Sequence, residues 1–402
     1  MQAGFKRGST TAILALALTG MGSIFSAHAS TPATPQCTDW TAYRTFTARF
    51  VQADGRVIDY STPTQQTTSE GQSYAMFFAL VANDRATFDR LLAWTRTNLA
   101  ANQFEPGNVR LPSWQWGKKP DGSFGVLDPN SASDSDLWIA YDLLQAGRLW
   151  NERSYTQLGL ALAAQIVRHE VTNLAGLGPV LLPGPQGFIT GDVTRLNPSY
   201  SPLPVLRGLA RELPDGPWNQ LAENGYKLVA TTAPRGFSPD WAAYKAGQFV
   251  VDPQNRDTGS YDAIRVYLWA GLAASADPLS KPWLAALGGM RQAVTQSGYP
   301  PERVSVATGV TSGEGPLSYW AALAPYFKTL GDDRSLGLAR THLAALDAPA
   351  AAPSVTAAAP LNPSREPVYY DRVLGLFGAG FIEGRYRFDE AGRLVPSWRS
   401  AC

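Results

Sequence analysis

The chain has 402 residues, and its 34 basic and 33 acidic side chains leave a formal net charge of +1. This near balance argues against nucleic acid or an anionic membrane as the partner. Only 17% of the residues are charged, whereas the chain contains 12 Trp, 16 Tyr and 16 Phe. Aromatic side chains in such numbers can supply both a core and platforms for a flat ligand.

The N-terminal residues have the pattern of a secretory signal peptide. Lys6 and Arg7 precede an apolar run at residues 13–18, and Ala27-His28-Ala29 follows. The run is too short to span a bilayer, and the Ala-x-Ala pattern predicts cleavage after Ala29. We therefore expect residues 1–29 to be a signal peptide. No later stretch is apolar and long enough to span a membrane, so residues 30–402 are expected to be a soluble periplasmic or secreted protein.

Helical periodicity recurs along most of the chain. Apolar residues at spacings of three and four predict eleven helices, at residues 39–50, 70–81, 85–98, 134–150, 155–169, 218–231, 260–274, 281–295, 317–330, 335–346 and 369–382. Residues 176–216 are rich in Gly and Pro and predict short strands or long loops. Residues 347–360 are a low-complexity Ala/Pro segment, interpreted as a surface connection. The pattern predicts a single all-α domain of helical hairpins around an axis.

Acidic residues stand at the start of three of these apolar helices. They are Glu70, then Asp134 with Asp136, then Asp262, which is three residues before Arg265 and so shares its helix face. One carboxylate at a helix start commonly serves as a cap, which complements the helix dipole by about 0.3–1 kcal/mol. Three such sites with aromatic loops nearby favour an active site built from carboxylates.

Several aromatic residues lie in polar segments and are candidates for ligand contact. Trp114 and Trp116 belong to a polar, turn-rich loop, Tyr200 to an Asn-Pro-Ser-Tyr segment, and Tyr261 directly precedes Asp262. Trp138 and Trp269 lie deep within predicted helices, where packing in the core is the favoured interpretation.

The sequence offers little for a metal site or a nucleophile triad. Only His169 and His342 remain after removal of the signal peptide, so a His-based zinc site or a Ser-His-Asp triad is poorly supported, and no metal or cofactor is expected. Cys37 and Cys402 are the two cysteines. In an oxidising compartment they form either one disulfide or two unpaired thiols, and the sequence leaves this open.

Three segments resemble glycoside hydrolase family 8. Ala132-Ser133-Asp134-x-Asp136-x-x-Ile139-Ala140 is similar to the family signature, and the residues around Glu70 and Asp262 look like its general-acid and general-base motifs. The resemblance extends from about residue 37 to the C-terminus. Ser135 and Asp142 depart from the small residues usual at their positions, and the Ala/Pro segment resembles an insertion.

The resemblance implies an (α/α)6 barrel with a long open cleft and inverting hydrolysis of β-1,4-linked glucan. Glu70 would be the general acid and Asp262 the general base, and Asp134 would hold the sugar at the cleavage point or orient the water. Pyranose faces stack on indole and phenol rings, so the expected substrate-binding residues are Trp114, Trp116, Tyr200 and Tyr261, together with Arg265.

The resemblance also suggests a monomeric endoglucanase of bacterial cellulose biosynthesis, with the cellulose synthase or export complex as a further partner. Three alternatives stay open. One is a hydrolase of chitosan, xylan or mixed-linkage glucan. Another is a polysaccharide lyase on a similar helical barrel, and the third is a glucan-binding accessory subunit of cellulose export without catalysis.

Glu70 and Asp262 both stand at predicted helix N-termini, which favour the ionised form of each carboxyl. This suits a general base but works against a general acid, which must hold a proton. A helix N-terminus favours ionisation of a carboxyl by less than about one pKa unit, whereas burial and neighbouring like charges shift it by up to about 3–5 units. We therefore expect Glu70 to hold a proton if it is more buried than Asp262 and has Asp134 or Asp136 close by.

Overall fold

The computed structural model describes residues 40–347 and 368–399. The predicted signal peptide, Cys37, Cys402 and nearly all of the Ala/Pro segment lie outside the described residues. Within the described ranges, no helix is both long and apolar enough to cross a membrane.

Thirteen α-helices form nearly half of the described chain, and their bounds agree with the sequence prediction for ten of the eleven predicted segments. The helices are α1 Thr41–Phe50, α2 Ser69–Val81, α3 Arg85–Trp94, α4 Ser133–Leu149, α5 Arg153–Glu170, α6 Leu203–Glu212, α7 Trp218–Thr232, α8 Ala263–Leu272, α9 Ser280–Ala286, α10 Gly288–Ser297, α11 Leu317–Leu330, α12 Asp333–Leu343 and α13 Tyr369–Ile382. A π-helical turn, Thr95–Leu99, extends α3. The remaining predicted segment, 281–295, is divided between α9 and α10 at Leu287.

Six of the helices are buried on nearly all sides and pack against one another in chain order. They are α2, α4, α6, α8, α11 and α13, and each contacts the next. Phe377 of α13 meets Tyr74 and Phe78 of α2, with ring centroids 5.0 and 4.7 Å apart, so the series returns to its first member. Helices apolar all round belong in a core, whereas the amphipathic α3, α5, α7 and α12 cover α2, α4, α6 and α11 from outside.

Aromatic rings fill the space between the inner helices. Trp138 lies 5.4 Å from Trp269 and 5.4 Å from Phe377, centroid to centroid. Both tryptophans are almost fully buried, which confirms the prediction that they pack in the core.

Within residues 40–347 and 368–399, sixteen short strands lie between the helices, more than the all-α prediction anticipated. They are β1 Thr67–Thr68, β2 Phe104–Glu105, β3 Asn108–Val109, β4 Gln115–Lys118, β5 Phe124–Asp128, β6 Val171–Leu174, β7 Gly178–Leu181, β8 Ile189–Thr190, β9 Val193–Leu196, β10 Ala242–Lys245, β11 Gln248–Val251, β12 Thr258–Gly259, β13 Pro301–Ser305, β14 Thr311–Glu314, β15 Tyr386–Phe388 and β16 Leu394–Pro396. The sheet orders are β1-β4-β5, β11-β10-β9-β8 and β12-β13-β14, and β2-β3, β6-β7 and β15-β16 are hairpins. Strands of two to five residues are too short for alternation to reveal them.

Helix α6 was not predicted, because it lies in the segment interpreted as strands or loops. Pro202 is its N-cap and Pro204 lies in its first turn. Proline is tolerated there, because the first N–H groups of a helix have no partner within it. Leu203, Leu206 and Leu209 then form the buried face.

Candidate active site

The three acidic helix starts converge on one guanidinium group. Nη2 of Arg265, on α8, lies 3.6 Å from Oε2 of Glu70, 4.0 Å from Oδ2 of Asp134 and 3.1 Å from Oδ1 of Asp262. Glu70 is in the first turn of α2, Asp134 in the first turn of α4, and Asp262 is the N-cap of α8. The structure therefore brings together the three carboxylates that the sequence analysis singled out, and it confirms that Asp262 and Arg265 share a face.

The start of α2 is fixed by its cap and by a neighbouring hairpin. Thr68 is the N-cap, and its Oγ1 accepts a hydrogen bond from the backbone N–H of Gly71 at 3.0 Å. The backbone N–H of Ser69 donates to the carbonyl oxygen of Trp114 at 2.9 Å, next to the pairing of β1 with β4. Glu70 thus projects from a backbone that is held on both sides.

The start of α8 depends on a carboxylate that the sequence analysis did not identify. Oδ1 of the buried Asp240 accepts hydrogen bonds from the backbone N–H groups of Ser260, Asp262 and Ala263, at 2.7, 3.1 and 2.8 Å. Asp240 lies in the Pro-rich loop before β10. An acidic residue there carries no periodic signal, so only its burial in the fold reveals its role.

Both carboxylate oxygens of Asp262 have donors. Oδ1 accepts from Nη2 of Arg265 at 3.1 Å, and Oδ2 accepts from Nε1 of Trp241 at 3.0 Å and from Nδ2 of Asn197 at 3.3 Å. Asn197 belongs to the segment already noted for Tyr200, but Trp241 had no sequence signal. Three donors from three parts of the chain orient this carboxylate.

Arg265 is more buried than a typical substrate-binding residue, at 5% exposure. Its Nη1 donates to the hydroxyl of Tyr370 at 3.2 Å, and its Nη2 donates to Oγ of Ser199 at 3.0 Å. A guanidinium remains charged even when buried, so Arg265 provides a fixed positive charge beneath the three carboxylates.

Asp134 has a strongly perturbed protonation equilibrium. It is 3% exposed, and burial, followed by the charge of Glu70, raises its pKa to about 7 in spite of Arg265 and of the N–H of Ser135, which donates to it at 2.7 Å. The side chain of Glu70 is 25% exposed and that of Asp262 33% exposed. The expected order of burial is confirmed, with Asp134 as the close acidic neighbour.

Asp136, the second acid of the α4 motif, interacts with Glu170 as well as with Asp134. It is fully buried, and burial and then Glu170 raise its pKa. Oγ of Ser131 donates to Glu170 at 2.6 Å, and burial raises the pKa of Glu170 to about 8. These two acids join the start of α4 to the end of α5.

The aromatic candidates separate into two groups. Tyr261 is 41% exposed beside Asp262, and burial together with the charges of Asp134 and Asp262 raises the pKa of the Tyr200 phenol, which therefore lies near both carboxylates. Trp114 is half-buried beside the start of α2.

Trp116 is engaged by protein side chains. Its ring is 5.3 Å from that of Trp94 and 5.5 Å from that of Phe124, and the guanidinium of Arg56 lies 4.3 Å from its centroid. These contacts fix the orientation of the half-buried Trp116 ring at the β4-β5 hairpin.

The fold and the three carboxylates fit a polysaccharide-cleaving enzyme that works by acid–base catalysis, and comparison with known families agrees. Residues 13–382 match the family described as "Glycosyl hydrolases family 8". The chain belongs to this family, as the sequence motifs predicted, and it is a glycoside hydrolase.

Relatives cover nearly the whole chain. A protein named "Endoglucanase" from Pseudomonas fluorescens is 42% identical over 400 residues, which are 96% of this chain and 98% of that protein. Another "Endoglucanase", from Xanthomonas axonopodis pv. citri, is 43% identical over 96% of each chain. The crystal structure of an endo-1,4-D-glucanase from Vibrio fischeri is similar with a TM-score of 0.81 and 39% identity, covering 90% of this chain and 100% of that one.

Proposed function

We propose that this protein is an endo-acting β-1,4-glucanase that hydrolyses its substrate with inversion at the anomeric carbon. The observation that carries the proposal is the placement of Glu70 and Asp262 at the starts of two inner helices, each with a carboxylate oxygen within 3.6 Å of Nη2 of Arg265. The names of the Pseudomonas and Xanthomonas relatives and of the Vibrio structure support β-1,4-glucan as the substrate.

In this mechanism Glu70 protonates the leaving glycosidic oxygen, and Asp262 activates a water molecule on the opposite face of the sugar. Inverting enzymes separate their two carboxyl groups by about 6.5–9.5 Å to admit that water, and retaining enzymes by about 5–5.5 Å. Nη2 of Arg265 lies 3.6 Å from Oε2 of Glu70 and 3.1 Å from Oδ1 of Asp262. These two carboxylate oxygens are therefore no further apart than the sum of the two distances. That upper limit includes the retaining range and the lower end of the inverting range, so the anomer of the first product decides between the two mechanisms.

Asp134 is proposed to hold the sugar at the cleavage point. With a pKa of about 7, its carboxyl is present in both protonation states near neutral pH. It can therefore donate to or accept from a sugar hydroxyl next to Glu70, without supplying the proton or the base itself.

The finer architecture we propose is an (α/α)6 barrel. Helices α2, α4, α6, α8, α11 and α13 would form its inner ring, and the remaining long helices its outer ring. Strands β1, β5 and β12 directly precede or closely approach α2, α4 and α8, the helices that carry the acids. The cleft would run across this end, with Trp114, Trp116, Tyr200 and Tyr261 in contact with glucose rings and Arg265 holding the catalytic carboxylates.

We further propose a periplasmic or secreted location and a role in bacterial cellulose biosynthesis. In this proposal residues 1–29 are the signal peptide, residues 30–402 are one catalytic domain, and the protein acts as a monomer near the cellulose synthase or export complex. The charged start, apolar run and Ala-x-Ala pattern of the first 29 residues support export.

The test is hydrolysis of a soluble cellulose derivative beside chitosan, xylan and mixed-linkage glucan. Glu70→Gln and Asp262→Asn should each lower kcat on the cellulose substrate by at least about 10²–10⁴-fold while the protein stays folded. Asp333→Asn is the matched control, because Asp333 also lies in the first turn of a helix, the outer α12. Its activity should equal that of the wild type.

Each outcome decides a separate part of the proposal. Cleavage of another polymer but not of cellulose would refute the substrate and keep the chemistry. Binding without any hydrolysis would indicate an accessory subunit. Proton NMR of the first product should show the α-anomer, and initial release of the β-anomer would refute inversion.

A further inference from the structure

Asp262 occupies the N-cap position of α8 without acting as a cap. An acidic N-cap residue ordinarily accepts a hydrogen bond from the free N–H groups of the first turn. The side chain of Asp262 makes no such bond, and its two oxygens point to Arg265, Trp241 and Asn197 instead. Some other group must satisfy the start of α8.

That group is the side chain of Asp240, which lies two residues before β10. Its buried carboxylate accepts the backbone N–H groups of Ser260, Asp262 and Ala263. Those of Asp262 and Ala263 are among the N–H groups that a helix start leaves without partners, and that of Ser260 belongs to the turn just before it. Because Asp240 performs the capping, the carboxylate of Asp262 is free for chemistry.

The next residue, Trp241, holds the same carboxylate through its side chain. Its indole N–H donates to Oδ2 at 3.0 Å. The indole ring stacks on Phe188 at 5.9 Å with an interplanar angle of 8°, and the guanidinium of Arg195 lies 4.7 Å from its centroid. Arg195 is itself bound by two hydrogen bonds to Asp252, at 2.7 and 3.1 Å. The direction of the N–H is therefore set by packing on the ring.

We propose that Asp240 and Trp241 form a clamp that positions Asp262, with Asp240 holding its backbone and Trp241 holding its carboxylate. Neither residue touches the reacting atoms, so both are positioning residues. The inference rests on the proposed role of Asp262 as the general base, and it adds that this role depends on two adjacent residues of a loop between α7 and α8.

The clamp has a consequence for the pH dependence of catalysis. A neutral donor to a carboxylate favours the charged form, so its loss makes the base easier to protonate. The other ionisable groups that face Asp262 are Arg265, Asp240, Asp134, Tyr200 and Tyr370, and Glu70 shares the guanidinium of Arg265 with it. Trp241→Phe leaves all of them in place and retains a ring for Phe188 and Arg195. It should move the acid limb of the kcat/KM profile upward by about one pH unit and lower kcat roughly tenfold.

The experiment compares two pairs of variants in the full chain. Trp241→Phe removes the donor and keeps the ring, whereas Phe188→Leu weakens the stacking and keeps the donor, so only the first should move the acid limb. Asp240→Ala removes the acceptor of three N–H groups, whereas Asp240→Asn retains one oxygen for them. We expect Asp240→Ala to lower kcat more than tenfold, with KM changed less than twofold, and Asp240→Asn to restore most of that loss.

The results separate the clamp from the proposed function. If Asp262→Asn is inactive but Trp241→Phe has the kcat and pH profile of the wild type, the clamp is refuted and the general base stands. If Phe188→Leu moves the acid limb as far as Trp241→Phe does, the indole N–H is not the cause and the clamp is again refuted. If Asp262→Asn retains activity, the proposed function itself fails.

Discussion

Replacement of Asp134 by Asn should stabilise the protein at neutral pH while impairing catalysis. The ionised carboxylate is almost fully removed from water, and burial raises its pKa to about 7. Asn has nearly the same shape, and its side-chain oxygen can still accept the N–H of Ser135. The substitution therefore removes a charge that the folded state accommodates poorly.

The sign follows from the protons bound in each state. An unfolded Asp releases its proton near pH 3.9, whereas folded Asp134 retains it up to about pH 7. Between these values the folded state binds more protons, so the stability contributed by this residue falls as pH rises through that window. The deficit is absent below about pH 4 and complete above about pH 7.

A shift of about three units in the pKa of Asp134 corresponds to about 4 kcal/mol in the free energy of unfolding at pH 8. This is an upper limit, because the charge of Glu70 contributes to the same shift. With an unfolding entropy of about 2.1 cal/mol/K per residue, a chain of this size should gain about 5 °C in Tm at pH 8. The gain should disappear near pH 4.

Scanning calorimetry at both pH values measures this difference, and Asp142→Asn is the control. Asp142 is fully buried in the same helix, and burial alone raises its pKa. Asp142→Asn should also gain stability relative to the wild type as pH rises, without loss of kcat. A gain for Asp134→Asn that is equal at pH 4 and pH 8, or a lower Tm at pH 8, would refute the electrostatic argument.

Three further substitutions test the framework around the site. In Gly378→Ala the new Cβ would lie 1.9 Å from the carbonyl oxygen of Ala321, so α11 and α13 must separate, and urea denaturation should show a loss of more than about 3 kcal/mol. Asp371→Ala removes the acceptor of the Ser318 N–H, 2.8 Å away, and should cost about 1–2 kcal/mol in the same assay. Trp114→Ala should raise KM for soluble cello-oligosaccharides about tenfold, with a smaller change in kcat, if this ring binds glucose by stacking.

Much of the helical framework could be predicted because its signals are local. Helices α2, α11 and α13 are long apolar runs that begin at capping or turn residues, and their predicted bounds differ from the structure by at most one residue. The proximity of Glu70, Asp134 and Asp262 could also be predicted from the sequence, because each stands at the start of an inner helix.

The supports of the site could not be predicted, because they depend on contacts between distant segments. Asp240 precedes the N–H groups that it binds by about twenty residues and lies in a loop without periodicity. Trp241 looks like any aromatic residue at a strand edge until its N–H is seen beside Asp262. The sequence prediction missed helix α6 for another reason, because the prolines at its start are also typical of loops.

Burial and the helix dipoles act in opposite directions on the carboxyl groups of the site. Glu70, Asp134 and Asp262 each stand at a helix N-terminus, which favours the charged form of the carboxyl group. The single guanidinium of Arg265 interacts with all three. Burial outweighs the dipole at Asp134, whose pKa of about 7 places a proton next to Glu70 near neutral pH. No histidine is required for this. His342 stacks on Trp320 and His169 contacts Gln165, so the described histidines are engaged elsewhere and acid–base chemistry falls to the carboxylates.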